Sequence, residues 1–515
     1  MAAELRPAPA IVFVGFMGSG KSTAAREAAA VLGVEAADAD RLVEERLGET
    51  IEAFFGREGE PAFRALEEEV TGELLERADG GVIALGGGAL GSVRVREALA
   101  RHKAVLIDVD LETAWARAAG RGRPLARDRP TFETLFAARR PTYAAVADAI
   151  LPGGDRGLVR RAARALQALG GAPAGSRLLW ATSASGDYPV WVGRGLLEAP
   201  PWPLGDESRR FCVTDTTVGE LYAGALSPLA GLVEIPPGEE HKTLQTAERV
   251  WRSLATQGVR RGDHVVALGG GVVGDLAGFC AATYQRGVPV VQVPTTLVAQ
   301  VDSAYGGKTG VDLPEAKNYV GAYHQPAGVL ADTSTLATLP PEEHAAGYAE
   351  VVKTALIAGG ELWERIGAGD PVDDDVVFAC ARTKLAVVAA DERDGGRRQV
   401  LNLGHTVGHA IETVTGYARL RHGEAVGLGL LAALRLSGQD ALRGHVAGLL
   451  EAAGLPTSLE GVEPEAVVAA TARDKKREHG DAPPFVLVAA PGDVRYGEHV
   501  AAAALLGAVT ELIRR

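Results

Sequence analysis

Cysteine is scarce in this chain of 515 residues, with three in all: Cys212, Cys280 and Cys380. An odd number spaced so widely argues against a disulfide framework and for a reducing, cytoplasmic setting. Long apolar runs are also missing. The longest, such as residues 425–434, are too short and too glycine-rich to span a bilayer. No basic segment followed by an apolar stretch opens the sequence, so no signal peptide is expected. Positive charge is in deficit: 53 Lys and Arg against 66 Asp and Glu give a formal net charge of −13. Nucleic acid calls for clustered Lys and Arg, so such a partner is not expected, and the acidic excess reads as a solvated surface. What remains is an ordinary globular balance over a length that demands two or three domains.

The first stretch with chemical content is IVFVGFMGSGKST, residues 11–23. Four apolar residues read as a buried parallel strand. Gly15, Gly20, Lys21 and Ser22 then satisfy G-x-x-x-x-G-K-[ST], with Gly18 inside the loop. Gly18, Ser19, Gly20, Lys21, Ser22 and Thr23 are the candidate contacts to ATP. The glycines let backbone N–H groups curl around phosphate, Lys21 reaches the β- and γ-phosphates, and Ser22 can hold Mg²⁺. A helix expected from about Thr23 turns its positive end toward the same anion.

Residues 10–168 alternate short apolar strands (11–14, 81–85 and 104–109) with helical stretches, the pattern of a parallel sheet flanked by helices. Residues 158–169 read as a closing helix, and 170–176, GGAPAGS, as a flexible linker. A second α/β pattern follows, with strands near 211–213, 264–268 and 288–293. After about Leu336 the sequence turns helical, with one late strand expected at 485–489.

The P-loop names no acceptor, since gluconate and adenylate kinases share it. Other residues narrow the choice. Asp38 and Asp40 lie two apart at an expected strand end, on one side of the pleat. Asp38 can reach Mg²⁺ through water while Asp40 takes an acceptor hydroxyl. Arg64 and Glu67 stand one helical turn apart, so Glu67 can orient Arg64. Gly86, Gly87 and Gly88 follow a strand and allow close backbone approach to a ligand. The run 121–125, RGRPL, reads as a lid, and Arg139 precedes Tyr143 by four. The ordered D-x-D, F-R-x-x-E, G-G-G and R-x-P-x-Y motifs resemble shikimate kinase across residues 10–168. The resemblance implies that Asp40, Arg64, Gly87 and Arg139 bind shikimate. Arg64 and Arg139 would clamp its carboxylate, Asp40 would accept the hydroxyl proton, and Arg123 would cover ATP.

The second half carries another constellation. A strand runs into Gly269-Gly270-Gly271-Val272-Val273-Gly274-Asp275, which satisfies G-x-G-x-x-G. No acid follows about twenty residues on, so an orthodox Rossmann site is not expected. A dinucleotide pyrophosphate can still sit there, with Asp215 as an alternative ribose ligand. His405 and His409 share one helix face. Thr406 stands where H-E-x-x-H needs glutamate, which disfavours peptide hydrolysis. His422 and Glu350 complete a set of two imidazoles and a carboxylate suited to catalytic zinc.

Long ordered motifs resemble 3-dehydroquinate synthase over residues 178–515: PGEEHKT, GGGVVGD, VPTTLVAQVDSAYGGKTGVD, KNYVGAYHQP, AEVVKTA, NLGHTVGHAIE and HGEAVG. The resemblance implies NAD contacts from Asp215, Glu239, Lys242, Gly271, Val272, Val273, Gly274, Asp275, Thr295, Thr296, Lys308, Lys317, Thr335 and Thr338. Glu350, His405 and His422 would hold Zn²⁺ or Co²⁺. Asp302, Lys308, Lys353, Lys384, Arg398, Asn402, His409 and Lys475 would hold a heptulosonate phosphate. Arg286 would reach the substrate phosphate of a neighbouring subunit, which implies a homodimer through this domain.

The expected fold is therefore α/β throughout. A P-loop kinase domain at 1–168 precedes a linker at 169–177. A two-part domain follows, an α/β nucleotide-binding part at 178–335 and a mainly helical, metal-binding part at 336–515. Two alternatives stay open: a nucleotide-sensing first domain without transfer, and a related sugar-phosphate cyclase or glycerol-phosphate dehydrogenase in the second.

Overall fold

The computed structural model describes residues 8–119, 124–126, 128–155, 157–417, 419–471 and 484–514. The chain divides into two compact units: Met1–Trp180 with Pro189–Trp191, and Ala181–Tyr188 with Val192–Arg515.

In the first unit, five parallel strands stand in the order Ala36–Asp38, Val82–Ala84, Ile11–Val14, Lys103–Asp108, Ala149–Pro152. Helices cover both faces, so Val12, Phe13 and Val105 are wholly buried. That is why these strands read as continuous apolar runs. The P-loop follows Val14 and the triple glycine follows Ala84. Both therefore open at the carboxyl ends of the strands, where open α/β sheets bind ligands.

Three local readings change. The P-loop helix is Lys21–Leu32, starting two residues early because Gly20 at φ +96° caps it. Asp38 and Asp40 do not share a strand. Asp38 ends Ala36–Asp38 and caps the helix Ala39–Leu47, accepting from the Asp40 N–H at 3.1 Å. Asp40 sits in that helix's first turn. The closing helix Leu158–Leu169 stands where expected. The strand Arg177–Ser183 after it pairs back onto Ala149–Pro152 through Leu178 and Leu179, so the glycine-rich stretch is a turn and the units part beyond it.

In the second unit, parallel strands run in the order Gly328–Asp332, Val290–Pro294, His264–Gly269, Arg210–Asp215, Gly231–Ile235. The helix Gly271–Thr283 packs on this sheet, with Leu276, Ala277 and Cys280 in its core. An antiparallel hairpin, Lys308–Leu313 with Ala316–Tyr323, was not legible in the sequence. From Pro341 on the unit is mainly helical, built on Pro341–Ala358, Asp374–Ala390, His405–Val414 and His422–Leu436. The late strand is Phe485–Ala490, paired antiparallel with Asp493–Glu498.

Two candidate active sites

In the first unit the P-loop is closely seated. A Cβ on Gly18 would stand 2.5 Å from the Ala114 carbonyl oxygen, so only glycine fits there. Lys21 is buried, and its Nζ donates to the Phe16 carbonyl at 3.0 Å, folded back over the loop it serves. Ser22 and Thr23 are exposed in the first helical turn.

The triple glycine organises the charged groups beside it. A Cβ on Gly86 would meet Glu67 Oε1 at 2.5 Å and Asp40 Oδ1 at 2.6 Å, and one on Gly88 would meet Arg64 Nη1 at 2.0 Å. Arg64 donates to Glu67 at 2.5 Å and to Glu60 at 3.1 Å, so the expected orienting contact is present. Burial pushes the Glu67 carboxyl up; Asp40 adds to this and Arg64 opposes it. The Gly87 carbonyl accepts from Arg139 Nη1 at 2.8 Å and from the Tyr143 hydroxyl at 2.5 Å. Arg64, Glu67, Gly88, Arg139 and Tyr143 line a cavity of about 500 Å³. Sequence reasoning noted Tyr143 only as a neighbour. Its four-residue spacing from Arg139 was the signal that both reach the same carbonyl. Arg123 and the lid run 121–123 lie outside the described residues.

The second unit holds a cavity of about 1490 Å³. One wall is the start of the helix Gly271–Thr283, where Gly270, Gly271, Val272 and Val273 line it. Backbone N–H groups there face the space with the positive end of the helix dipole. Gly274 serves packing instead: a Cβ there would stand 2.9 Å from Gln292 Oε1. Asp215 lines the cavity and caps the helix Thr216–Tyr222 through the Val218 N–H at 2.9 Å. Lys242 is nearly buried between three carboxylates, Glu239 at 2.8 Å, Asp275 at 3.4 Å and Asp312 at 3.8 Å. Burial pushes the Asp275 carboxyl up to about 6, with Lys242 opposing. Thr296 lines the wall; the buried Thr295 does not, and its Oγ1 has no partner among the described residues. Thr335 donates to the Asp332 carbonyl at 2.8 Å and Thr338 meets the Tyr222 hydroxyl at 2.6 Å, both off the cavity wall.

His405 and His422 line the cavity as well, and the buried Glu350 stands behind them, each from a different helix. The Nε2 atoms of His405 and His422 lie 3.5 Å and 3.4 Å from Glu350 Oε1. His405 Nδ1 faces the Leu403 carbonyl at 3.1 Å, which leaves Nε2 as the lone-pair nitrogen. Both Glu350 oxygens are buried and lack a hydrogen bond of normal geometry among the described residues. Burial would raise the Glu350 carboxyl, but Lys353, His405 and His422 hold it well below its usual range. Burial, with Lys353, pushes His405 down to about 3. Against burial, Glu350 and Glu412 raise His422 to about 10. A buried anion shared by two imidazoles is the donor set of a divalent cation with open positions.

Between the two walls lie the cations. Lys384 Nζ is 2.7 Å from Asp302, Lys353 is 3.6 Å from it, and Lys353 also pairs with Glu350. Lys308 pairs with Asp394 at 2.8 Å. Arg398 is buried and donates to the Gly306 carbonyl at 3.0 Å and to the Glu392 carbonyl. Burial pushes the Lys384 ammonium down to about 8, Lys353 acting the same way and Asp302 opposing. Asn402 and His409 also line the space. Lys317 pairs with Glu412 at 3.2 Å. Arg286 is exposed on its own loop at φ +68° and does not line this cavity. Lys475 lies outside the described residues. Sequence reasoning missed Glu412 and Asp394. Glu412 was findable, because it follows His405 by seven and His409 by three and so shares their helix face.

Comparison with known proteins follows the same division. The shikimate kinase family model matches residues 17–169. The models for the N-terminal and C-terminal parts of 3-dehydroquinate synthase match residues 232–346 and 347–477. The 3-dehydroquinate synthase of Caulobacter vibrioides is 45% identical over 356 residues, 63% of this chain and 95% of that protein. That of Halorhodospira halophila is 44% identical over 358 residues, 65% of this chain and all of that protein. A solved 2-epi-5-epi-valiolone synthase from Streptomyces hygroscopicus, described with NAD⁺ and Zn²⁺ bound, is 29% identical with a TM-score of 0.58. The match covers 63% of this chain and 96% of that one. The chain belongs to the 3-dehydroquinate synthase family, with a shikimate kinase domain fused ahead of it.

Proposed function

We propose that the first unit transfers the γ-phosphoryl group of ATP to shikimate. The second unit converts 3-deoxy-D-arabino-heptulosonate 7-phosphate into 3-dehydroquinate and phosphate. The observation that carries the second half is the grouping of Glu350 with His405 and His422, whose two imidazoles line the same cavity as the Gly270–Gly271 helix start.

Phosphoryl transfer needs mostly positioning and charge neutralisation. Lys21 and the loop glycines would hold the phosphates of ATP, and Ser22 with Asp38 would hold the Mg²⁺ that neutralises them. Arg64 and Arg139 present forked donors that suit a planar carboxylate. Asp40, beside Gly86, takes the proton of the attacking hydroxyl.

In the second unit the buried Glu350 oxygens and the two imidazole nitrogens fit Zn²⁺ or Co²⁺. The helix start, Thr296 and the Lys242 cluster fit the phosphates and ribose of NAD. Held by Glu350, His405 and His422, such a cation would supply Lewis acidity at a substrate hydroxyl, and NAD held at the helix start would supply reversible hydride transfer. Lys353 and Lys384, gathered on Asp302, hold the substrate's anionic groups with Lys308 and Arg398. Asn402 and His409 complete the lining. The exposed Arg286 supports a homodimer in which it serves the neighbour's phosphate. The three buried free cysteines support a cytoplasmic setting. No helix among the described residues is long and apolar enough to cross a membrane.

Chelation provides the test. Protein stripped of zinc and returned to buffer with Mg²⁺ should release no phosphate from the heptulosonate phosphate, while ADP formation with shikimate stays unchanged. Full phosphate release by a preparation verified metal-free would overturn the assignment.

A pH dependence follows from Lys384. Its cation is present below about pH 8 and is lost as pH rises through that value. The kcat/KM for the heptulosonate phosphate, which reports the free enzyme, should therefore fall above about pH 8. In Lys384→Arg that limb should move to higher pH, because guanidinium keeps its charge. An unmoved limb would remove Lys384 from the substrate set.

A further inference from the structure

The wall between the cation ligands and the helix start is a line of alternating charges. Glu412 is buried on the helix His405–Val414. Its Oε2 lies 3.5 Å from His422 Nδ1 and has no hydrogen-bond partner among the described residues. Its Oε1 accepts from Lys317 Nζ at 3.2 Å. Lys317 is 3.8 Å from Glu239, Glu239 is 2.8 Å from Lys242, and Lys242 is 3.4 Å from Asp275. Asp275 lies in the first turns of the helix that begins at Gly271. The line thus runs from one cation ligand to the nucleotide wall.

We infer that Glu412 is a positioning residue that couples the cation site to the nucleotide site. The inference rests on the proposed function. A cation taken by His422 through Nε2, the nitrogen nearest Glu350, leaves the ring proton on Nδ1, facing Glu412. Glu412 then accepts on both oxygens, from His422 and from Lys317. Its orientation is fixed, and it fixes Lys317 against Glu239 beside the phosphate-binding helix start. Glu412 and Lys242, the buried members at the two ends of the line, hold the partly exposed Lys317 and Glu239 between them. The order set at one end is thus passed along contacts rather than through open solvent. The cation therefore preorganises the nucleotide wall, and linkage requires NAD to tighten the cation by the same factor.

The test is a calorimetric titration of NAD⁺ into the full chain, with and without zinc, and of zinc with and without NAD⁺. In the wild type each should tighten the other by on the order of tenfold. Glu412→Gln keeps the shape but has one acceptor oxygen, so its amide N–H must face one of two donors. The factor should then fall below about twofold. Lys317→Met cuts the line on the other side. Its coupling factor should fall as well. Metal analysis should find one zinc per chain.

An unchanged factor in Glu412→Gln, or none in the wild type, would overturn the coupling alone. Two zinc ions per chain would also overturn it, since His409, Glu412 and His422 would then be ligands of a second cation. A wild type that binds neither zinc nor NAD⁺ would overturn the proposed function itself.

Discussion

Lys21→Ala is expected to lower shikimate phosphorylation by on the order of 10³-fold while formation of 3-dehydroquinate stays close to its original rate. Lys21 is the cation at the transferring phosphates, and removing such a phosphate-clamping charge costs about that much in phosphoryl transfer. Its Nζ is buried and sits on the Phe16 carbonyl, so alanine leaves a small void and one freed acceptor in the loop. Those losses are local, and Lys21 contributes nothing to the cavity at Glu350. The second activity thus reports directly that the chain is folded. An equal fall of both rates in a folded variant would contradict two separate sites.

The mirror experiment is His405→Ala. One of the two imidazoles beside Glu350 is lost, leaving a carboxylate and His422 for the cation. Lewis acidity supplies several kcal/mol to such a reaction, so phosphate release should drop by on the order of 10³-fold. Bound zinc should fall with it. ADP formation with shikimate should not change, because every group implicated there lies between Gly15 and Tyr143. Retention of full zinc content and full phosphate release would remove His405 from the ligand set.

Much of this was legible in the sequence because the signals are local. The strand Ile11–Val14 and the helix Leu158–Leu169 stand where apolar runs and glycine boundaries put them. The P-loop helix start shifted by two residues only because Gly20 acts as its cap. Asp38 and Asp40 were misplaced on one strand for a similar reason. A carboxylate that can cap a helix ends the strand itself, and the pleat rule then stops applying. The hairpin Lys308–Tyr323 went unseen because half of its second strand is exposed and its register is irregular between Val311 and Leu313.

The cations of the second site were all visible as residue types, but their partners were not. Lys308 meets Asp394 across 86 residues and Lys317 meets Glu412 across 95. Pairings of that separation are set by how helices pack and leave no periodic trace. The same holds in the first unit, where Gly88 is required by the Arg64 side chain 24 positions earlier.

The central claim is that one chain carries two independent active sites. It is tested most directly by assaying a single purified preparation in separate tubes. One tube holds ATP, Mg²⁺ and shikimate; the other holds the heptulosonate phosphate, NAD⁺ and zinc. ADP should appear in the first only when shikimate is present, and phosphate and 3-dehydroquinate should appear in the second without ATP. A folded chain that runs one reaction and not the other would contradict the account.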